Sequence, residues 1–134
     1  MRIKKSGQLS LEFIIFISFA MLIMLSFLGM IYEREKMLRD HYEIKMIREI
    51  ALKIQYEIDT AAVVSDGYSR NFTIPQNIYG RNYQALIIGN YVLVLSDKYS
   101  ELLSIIPVSG YIKTGVNNIQ KQNGTICINM AECP

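Results

Sequence analysis

The hydrophobic pattern of the chain changes twice, and its first part is an unbroken apolar segment. Residues 13–32 include no charged side chain. About 20 apolar residues suffice for a helix to cross the roughly 30 Å of hydrocarbon in a bilayer. Glu33-Arg34-Glu35-Lys36 follows at once, where a secretory signal would have the small residues of a cleavage site. We therefore expect a membrane-spanning helix that the mature chain keeps.

The second part carries a single apolar stripe. Its apolar residues recur at spacings of three and four, with charged residues such as Glu43 and Glu57 between them, which is typical of an amphipathic helix. The stripe consists of Ile44, Ile47, Ala51, Ile54, Ile58 and Ala61. No proline precedes Pro75, so one helix is predicted from about residue 8 to about residue 64, ended by Ser65-Asp66-Gly67. The stripe must pack against the C-terminal part of the chain or against another helix.

The third part consists of short apolar and β-branched runs, which are typical of strands. Two hairpins are predicted from two-residue loops of a favoured kind. These are Gly89-Asn90 between 83–88 and 91–95, and Asn123-Gly124 between 118–122 and 125–129. Residues 105–112 form a further extended segment, which Pro107 places at a sheet edge or a bulge. The predicted fold is α+β: a long N-terminal helix packed on a small antiparallel sheet of about four strands.

A polar cassette separates the basic N-terminus from the apolar segment. It reads Gln8-Leu9-Ser10-Leu11-Glu12 and follows Lys4-Lys5-Ser6-Gly7. An ordinary secretory signal places its basic residues directly against a shorter apolar core and is cleaved beyond that core. Here the candidate cleavage point is the flexible, unhindered Gly7-Gln8 bond, on the cytoplasmic side of the membrane.

These residues resemble the class III signal peptide of archaeal type IV prepilins. Gln8, Ser10 and Glu12 match that motif, and Phe16 stands where the family has Leu. The resemblance covers roughly the first 30 residues. It implies a prepilin peptidase that cuts before Gln8, and polymerisation with identical or related pilin subunits through the N-terminal helix, including Glu12 and Phe13. The family's layout, a protruding helix with a small β head, agrees with the fold predicted from the rest of the chain.

The predicted organisation has four parts. Residues 1–7 are the leader, 8–32 the transmembrane or filament-core helix, 33–66 its amphipathic continuation and 67–134 an extracellular β head. Basic residues without acidic neighbours precede the apolar segment, so the positive-inside rule places the N-terminus in the cytoplasm and the head outside. The expected location is the membrane before assembly, and then a surface filament.

Charge and composition exclude several other classes of function. The formal charge is +2 and becomes slightly negative once the basic leader is removed, so no nucleic-acid partner is indicated. His41 is the only histidine, and with two cysteines it supplies too few ligands for a closed zinc site. Neither a glycine-rich phosphate loop nor a nucleophile elbow occurs. We expect no enzyme, cofactor or metal.

Two N-glycosylation sequons and two cysteines are consistent with an extracellular head. Asn71 and Asn123 each open an acceptor triplet for N-glycosylation, although each could equally be an ordinary turn residue. Asn123, in a predicted turn, is expected to be the more accessible. Cys127 and Cys133 could close a small loop in an oxidising exterior, or stay as two free thiols.

Two questions stay open from the sequence. Glu12 either lies in the headgroup layer at the positive end of the helix dipole or pairs with the α-amino group of a neighbouring subunit. The chain is either a pilin-type structural subunit or a single-pass, membrane-anchored extracellular binding protein that does not polymerise. The cassette favours the first, because a simple anchor has no need of Gln8, Ser10 and Glu12.

Overall fold

The computed structural model describes residues 5–133, with side chains from Ser10 onward. These residues form one helix and seven strands, in two compact units, one up to Asp40 and one from His41. The elements are α1 (Lys5–Val63), β1 (Ser69–Ile74), β2 (Gln84–Ile88), β3 (Tyr91–Leu95), β4 (Ser100–Ser104), β5 (Ser109–Gly110), β6 (Gly115–Gln122) and β7 (Thr125–Ile128). The predicted α+β layout is confirmed, since a long N-terminal helix packs against a small, largely antiparallel β head.

The first unit consists of the apolar part of α1. Every described side chain from Ser10 to Arg39 is exposed. The helix is therefore held here by its own backbone hydrogen bonds, with no hydrophobic core beneath it.

The C-terminal part of α1 supplies the helical side of the core in the second unit. Ile47, Ala51, Ile54 and Ile58 are buried as predicted. Ile44 was assigned to this stripe wrongly, since its side chain is 42% exposed while that of Ile50 is 3% exposed. With 3.6 residues per turn, Ile44 lies at the margin of the face whose centre runs through Ile47 and Ile54.

The end of α1 is held by a residue from a distant strand. Lys121 in β6 donates from Nζ to the carbonyl oxygens of Ala62, at 2.7 Å, and Val64, at 2.8 Å. The amide of Gly67, at φ +90°, donates to the carbonyl of Lys121. The predicted stop at Ser65-Asp66-Gly67 is thus confirmed, and Lys121 satisfies carbonyl groups that a helix end leaves without partners.

The strands form two sheets, not the single sheet of about four strands that was predicted. The described strands are ordered β1-β6-β7-β5 in one sheet and β2-β3-β4 in the other. Both predicted hairpins are present, as β2–β3 and β6–β7. Their turns have the positive φ angles that such loops require, +59° at Gly89 and +51° at Asn123.

The extended segment predicted at 105–112 is mostly irregular. Only β5 lies within it, and β5 pairs in parallel with β7. Gly110 is required there, because a Cβ would lie 2.0 Å from the carbonyl oxygen of Ile128. The core lies between α1 and the sheets, where the helix stripe packs with Phe72, Val92 and Ile119.

Candidate processing and assembly site

The candidate cleavage bond lies in the first turn of the described helix. Gly7 and Gln8 both have helical backbone in α1, which begins at Lys5. The leader residues before Lys5 lie outside the described residues.

The matched motif residues continue along one exposed stretch of helix. Ser10 and Glu12 are exposed, and the side chains of Phe13 and Phe16 are 64% and 74% exposed. Glu12 and Phe16 are four residues apart and therefore share a helix face. The carboxylate of Glu12 is thus placed beside an aromatic side chain, at the start of the apolar segment.

The two serines of the apolar segment are hydrogen-bonded within the helix. The hydroxyl groups of Ser18 and Ser26 donate to the carbonyl oxygens of Ile14 and Leu22, four residues earlier in each case. The large apolar side chains face all sides of the helix and are exposed. Within the described residues, α1 is the one helix long and apolar enough to cross a membrane.

Glu12 has no cation within the part of the chain that the structure describes. Glu12 belongs to none of the ion pairs found between described side chains. A carboxylate beside hydrocarbon is costly unless it is paired or hydrated. The described side chains therefore supply no compensating charge for the carboxylate of Glu12.

The buried carboxylate of Glu43 connects α1 to two loops of the head. Glu43 on α1 is 5% exposed; its Oε2 accepts from Arg81 at 3.0 Å and its Oε1 from Ser96 at 2.7 Å. The helix is thereby joined to the loop before β2 and to the loop after β3. Sequence reasoning placed Glu43 among the charged residues between the stripe positions, because helical periodicity does not reveal a polar side chain that a distant loop will cover.

Glu57 is the second buried carboxylate of the helix. Its Oε2 lies 3.6 Å from Arg70 on β1 and accepts no hydrogen bond from the described residues. A side-chain hydrogen bond with Tyr68, and then the charge of Glu57, raise the pKa of the Arg70 guanidinium above its usual value. The pair holds β1 against α1.

Tyr83 is a buried tyrosine of the head. Burial raises the pKa of Tyr83 to about 12, and its hydroxyl donates to the carbonyl of Pro75. Tyr83 and Pro75 therefore contribute to the packing of the head.

No cluster of three or more His, Cys, Asp or Glu suited to a metal occurs among the described residues, and His41 is exposed on α1.

The two sequons differ in environment. Asn123 is exposed in the β6–β7 turn. Asn71 is also exposed, but it lies within β1 and its Oδ1 accepts a hydrogen bond from Asn118 at 2.8 Å. Asn123 is thus the sequon whose side chain has no competing contact among the described residues.

The C-terminal cysteines are joined. A disulfide links Cys127, buried in β7, to Cys133, with 5.7 Å between their Cα atoms. The last described residues are therefore fixed to the four-stranded sheet.

The head has a small groove at one end of the three-stranded sheet. Its volume is about 130 Å³, well below the several hundred Å³ of typical small-molecule sites. The lining residues are Asn82, Tyr83, Gln84, Leu95, Ser96 and Asp97.

Comparisons with protein-family models, with curated proteins and with solved structures gave no match for this chain.

Proposed function

We propose that the chain is a structural subunit, a major or minor pilin, of an archaeal type IV pilus-like surface filament. It is stored in the membrane with its head outside, trimmed before Gln8 by a prepilin peptidase, and polymerised through α1. The observation that supports this best is the exposed apolar segment of α1, which follows directly after the Gln8, Ser10 and Glu12 cassette and is apolar on every side.

The apolar segment needs two successive environments in this scheme. In the stored subunit, lipid covers the large side chains. In the filament, helices of other subunits replace the lipid, and the small residues Ser18, Ala20, Ser26 and Gly29 let helices approach closely. A Cβ at Gly29 would meet no atom within 4 Å in the single chain, so the space beside it is open to a neighbour.

Glu12 has a defined role in the assembly step. Cleavage before Gln8 creates an α-amino group, which is largely protonated near neutral pH because its pKa is about 8. When helices bundle away from lipid, this ammonium and the carboxylate of Glu12 on a neighbour neutralise each other. In a bundle of parallel helices each subunit offers its amine to one neighbour and its carboxylate to another, and such a heterologous contact repeats as an open filament when it does not close into a ring.

The processing step is tested by the mass of the mature N-terminus. We expect the chain in membranes and in sheared filaments to begin at Gln8. Gly7→Ile should block cleavage by crowding the bond, whereas Gly29→Ile, the same change at an open helix position, should leave cleavage unchanged.

Two results would contradict the proposal. One is assembled material that retains Met1, and the other is a mature chain that begins beyond Met30, which would identify the apolar segment as a discarded signal. A processed chain that never forms filaments would instead favour the single-pass, membrane-anchored binding protein.

A further inference from the structure

One hairpin turn of the head combines an exposed asparagine with a following glycine. Asn123-Gly124 joins β6 to β7, and both residues are exposed, with φ angles of +51° and +77°. No other asparagine of the chain precedes a glycine. Glycine has no Cβ, so its backbone nitrogen can approach a neighbouring group more closely than that of any other residue. The side-chain amide of Asn123 is therefore open to attack by the next backbone nitrogen.

The reaction that this pair allows is deamidation through a cyclic imide. The backbone nitrogen of Gly124 loses its proton to hydroxide and bonds to Cγ of Asn123, while the bond from Cγ to Nδ2 breaks and ammonia leaves. Water then opens the five-membered ring at either carbonyl, which gives Asp or isoAsp at this position. Water is the only co-reactant, and the net change is an amide hydrolysed to a carboxylic acid.

A carboxylate from another part of the chain lies on the attacking nitrogen. Oδ1 of Asp66 accepts a hydrogen bond from the amide of Gly124 at 2.9 Å. Asp66 belongs to the segment directly after α1, and that segment is fixed to the same hairpin. The amide of Gly67 donates to the carbonyl of Lys121, and the amide of Lys121 donates to the carbonyl of Tyr68, both at 2.9 Å. The backbone that follows Asp66 therefore holds its carboxylate against the turn.

The contact between Asp66 and Gly124 opposes the reaction in two ways. A carboxylate that accepts from an N–H stabilises the protonated amide, and its negative charge disfavours the deprotonated nitrogen that must attack. The nitrogen of Gly124 must also turn toward Cγ of Asn123, so the hydrogen bond to Asp66 has to break before the ring can close.

We infer that Asn123 is a site of spontaneous deamidation and that Asp66 is the positioning residue that slows it. The inference stands apart from the proposed function, since it concerns the head of a single chain. Asn90 provides an internal comparison, because it is exposed in the other hairpin turn but is followed by Tyr91. The side chain of Tyr91 crowds the approach that Gly124 leaves open, so Asn90 keeps its amide.

Deamidation changes both the turn and the sequon. An Asp at position 123 places a second carboxylate beside the amide that Asp66 already accepts from, and isoAsp lengthens the backbone inside a two-residue loop that needs positive φ angles. Either product weakens the join between the hairpin and the end of α1. Nδ2 of Asn123 is also the atom to which an N-glycan attaches, so a deamidated head loses this acceptor.

The rate of deamidation in the purified full-length chain tests the inference. The chain is produced in bacteria that do not N-glycosylate it, kept in detergent at mildly alkaline pH, and sampled for peptide mass mapping that separates the amide, Asp and isoAsp forms. We expect Asn123 to deamidate while Asn90 stays an amide. Asp66→Ala should speed the reaction about fivefold, the factor that corresponds to one hydrogen bond of average net strength. Asp66→Asn keeps an acceptor oxygen without the charge, and its rate should lie between the two.

Two controls separate the local contact from general unfolding. Asp59→Ala removes another exposed carboxylate, from α1. Arg81→Met removes a partner of the buried Glu43 and so weakens the head at the loop before β2. Both should keep the wild-type rate at Asn123, even where the urea midpoints of Asp66→Ala and Arg81→Met fall equally. An equal acceleration by Arg81→Met would assign the rate to unfolding of the whole head, and an unchanged or slower rate in Asp66→Ala would show that Asp66 does not restrain the reaction. Each of these results would overturn the inference.

Discussion

At the scale of single residues, the head contains two buried carboxylates on α1, those of Glu43 and Glu57. Glu43 keeps both oxygens satisfied by Arg81 and Ser96, so its burial is compensated. Glu57 has Arg70 near it but no hydrogen bond to its buried Oε2 from the described residues. Removing a partner from a buried carboxylate costs more than the same change at an exposed pair, because the remaining charge stays desolvated.

Arg81→Met should destabilise the head by about 1–3 kcal/mol, because it leaves Oε2 of the buried Glu43 without its cation. Lys45→Met is the control: Lys45 and Glu49 form a 3.8 Å pair whose side chains are 71% and 55% exposed, and such pairs contribute less than about 1 kcal/mol. The urea midpoints of the detergent-solubilised full chains measure the difference. Equal midpoints for the two variants would show that Arg81 does not compensate Glu43.

At the scale of elements, the C-terminal end of α1 is stabilised by a basic residue that belongs to a strand. The last turn of α1 contains no basic residue. Lys121 provides the positive charge from β6 instead, close to the negative end of the helix dipole. One side chain thus fixes the C-terminus of α1 to the four-stranded sheet.

Lys121→Met should lower the stability of the head by about 1–3 kcal/mol, since it removes two charge-assisted hydrogen bonds while keeping the apolar stem. Lys113→Met is the matched control, because the side chain of Lys113 is exposed. Hydrogen exchange should also quicken selectively at the last turn of α1. Unchanged exchange there, with a lower midpoint, would assign the loss to β6 rather than to the helix end.

Elements with local signals could be predicted from the sequence, and elements defined by distant pairing could not. The Gly89-Asn90 and Asn123-Gly124 turns specify their hairpins through two residues each. β1 instead finds its partner in β6, more than 40 positions along the chain. β4 follows β3 without a two-residue turn signal such as Gly-Asn or Asn-Gly, and β5 pairs in parallel over only two residues. Local sequence patterns therefore do not predict the division of the strands into two sheets.

At the scale of the whole molecule, the two units differ in how far they bury their own apolar side chains. The head buries a core of apolar side chains around Ile54, Ile58 and Val92. The first unit exposes all of its described side chains from Ser10 to Arg39. The motif residues of the candidate site could be identified in the sequence because they are contiguous. Their partner could not, because Glu12 has no cation among the described residues and the proposed partner belongs to another subunit.

Glu12→Gln tests the proposed pairing and distinguishes a filament from an anchor. The change keeps the size and polarity of the side chain but removes the charge that neutralises a neighbour's ammonium. Leaving one member of a desolvated pair unpaired costs about 3–5 kcal/mol, and the loss recurs at every added subunit. We therefore expect normal cleavage and membrane insertion, but few and short filaments.

Glu33→Gln is the control for this change, because it removes a carboxylate from an exposed position of α1 just beyond the apolar segment. It should leave both cleavage and assembly unchanged. Processing is checked by mass, and filaments are sheared, counted and measured by electron microscopy. In a plain membrane anchor both substitutions would be silent, since the headgroup layer accepts a neutral glutamine as readily as a carboxylate. Filaments of normal number and length from Glu12→Gln would therefore remove the proposed pairing, and with it the main reason to prefer a polymer.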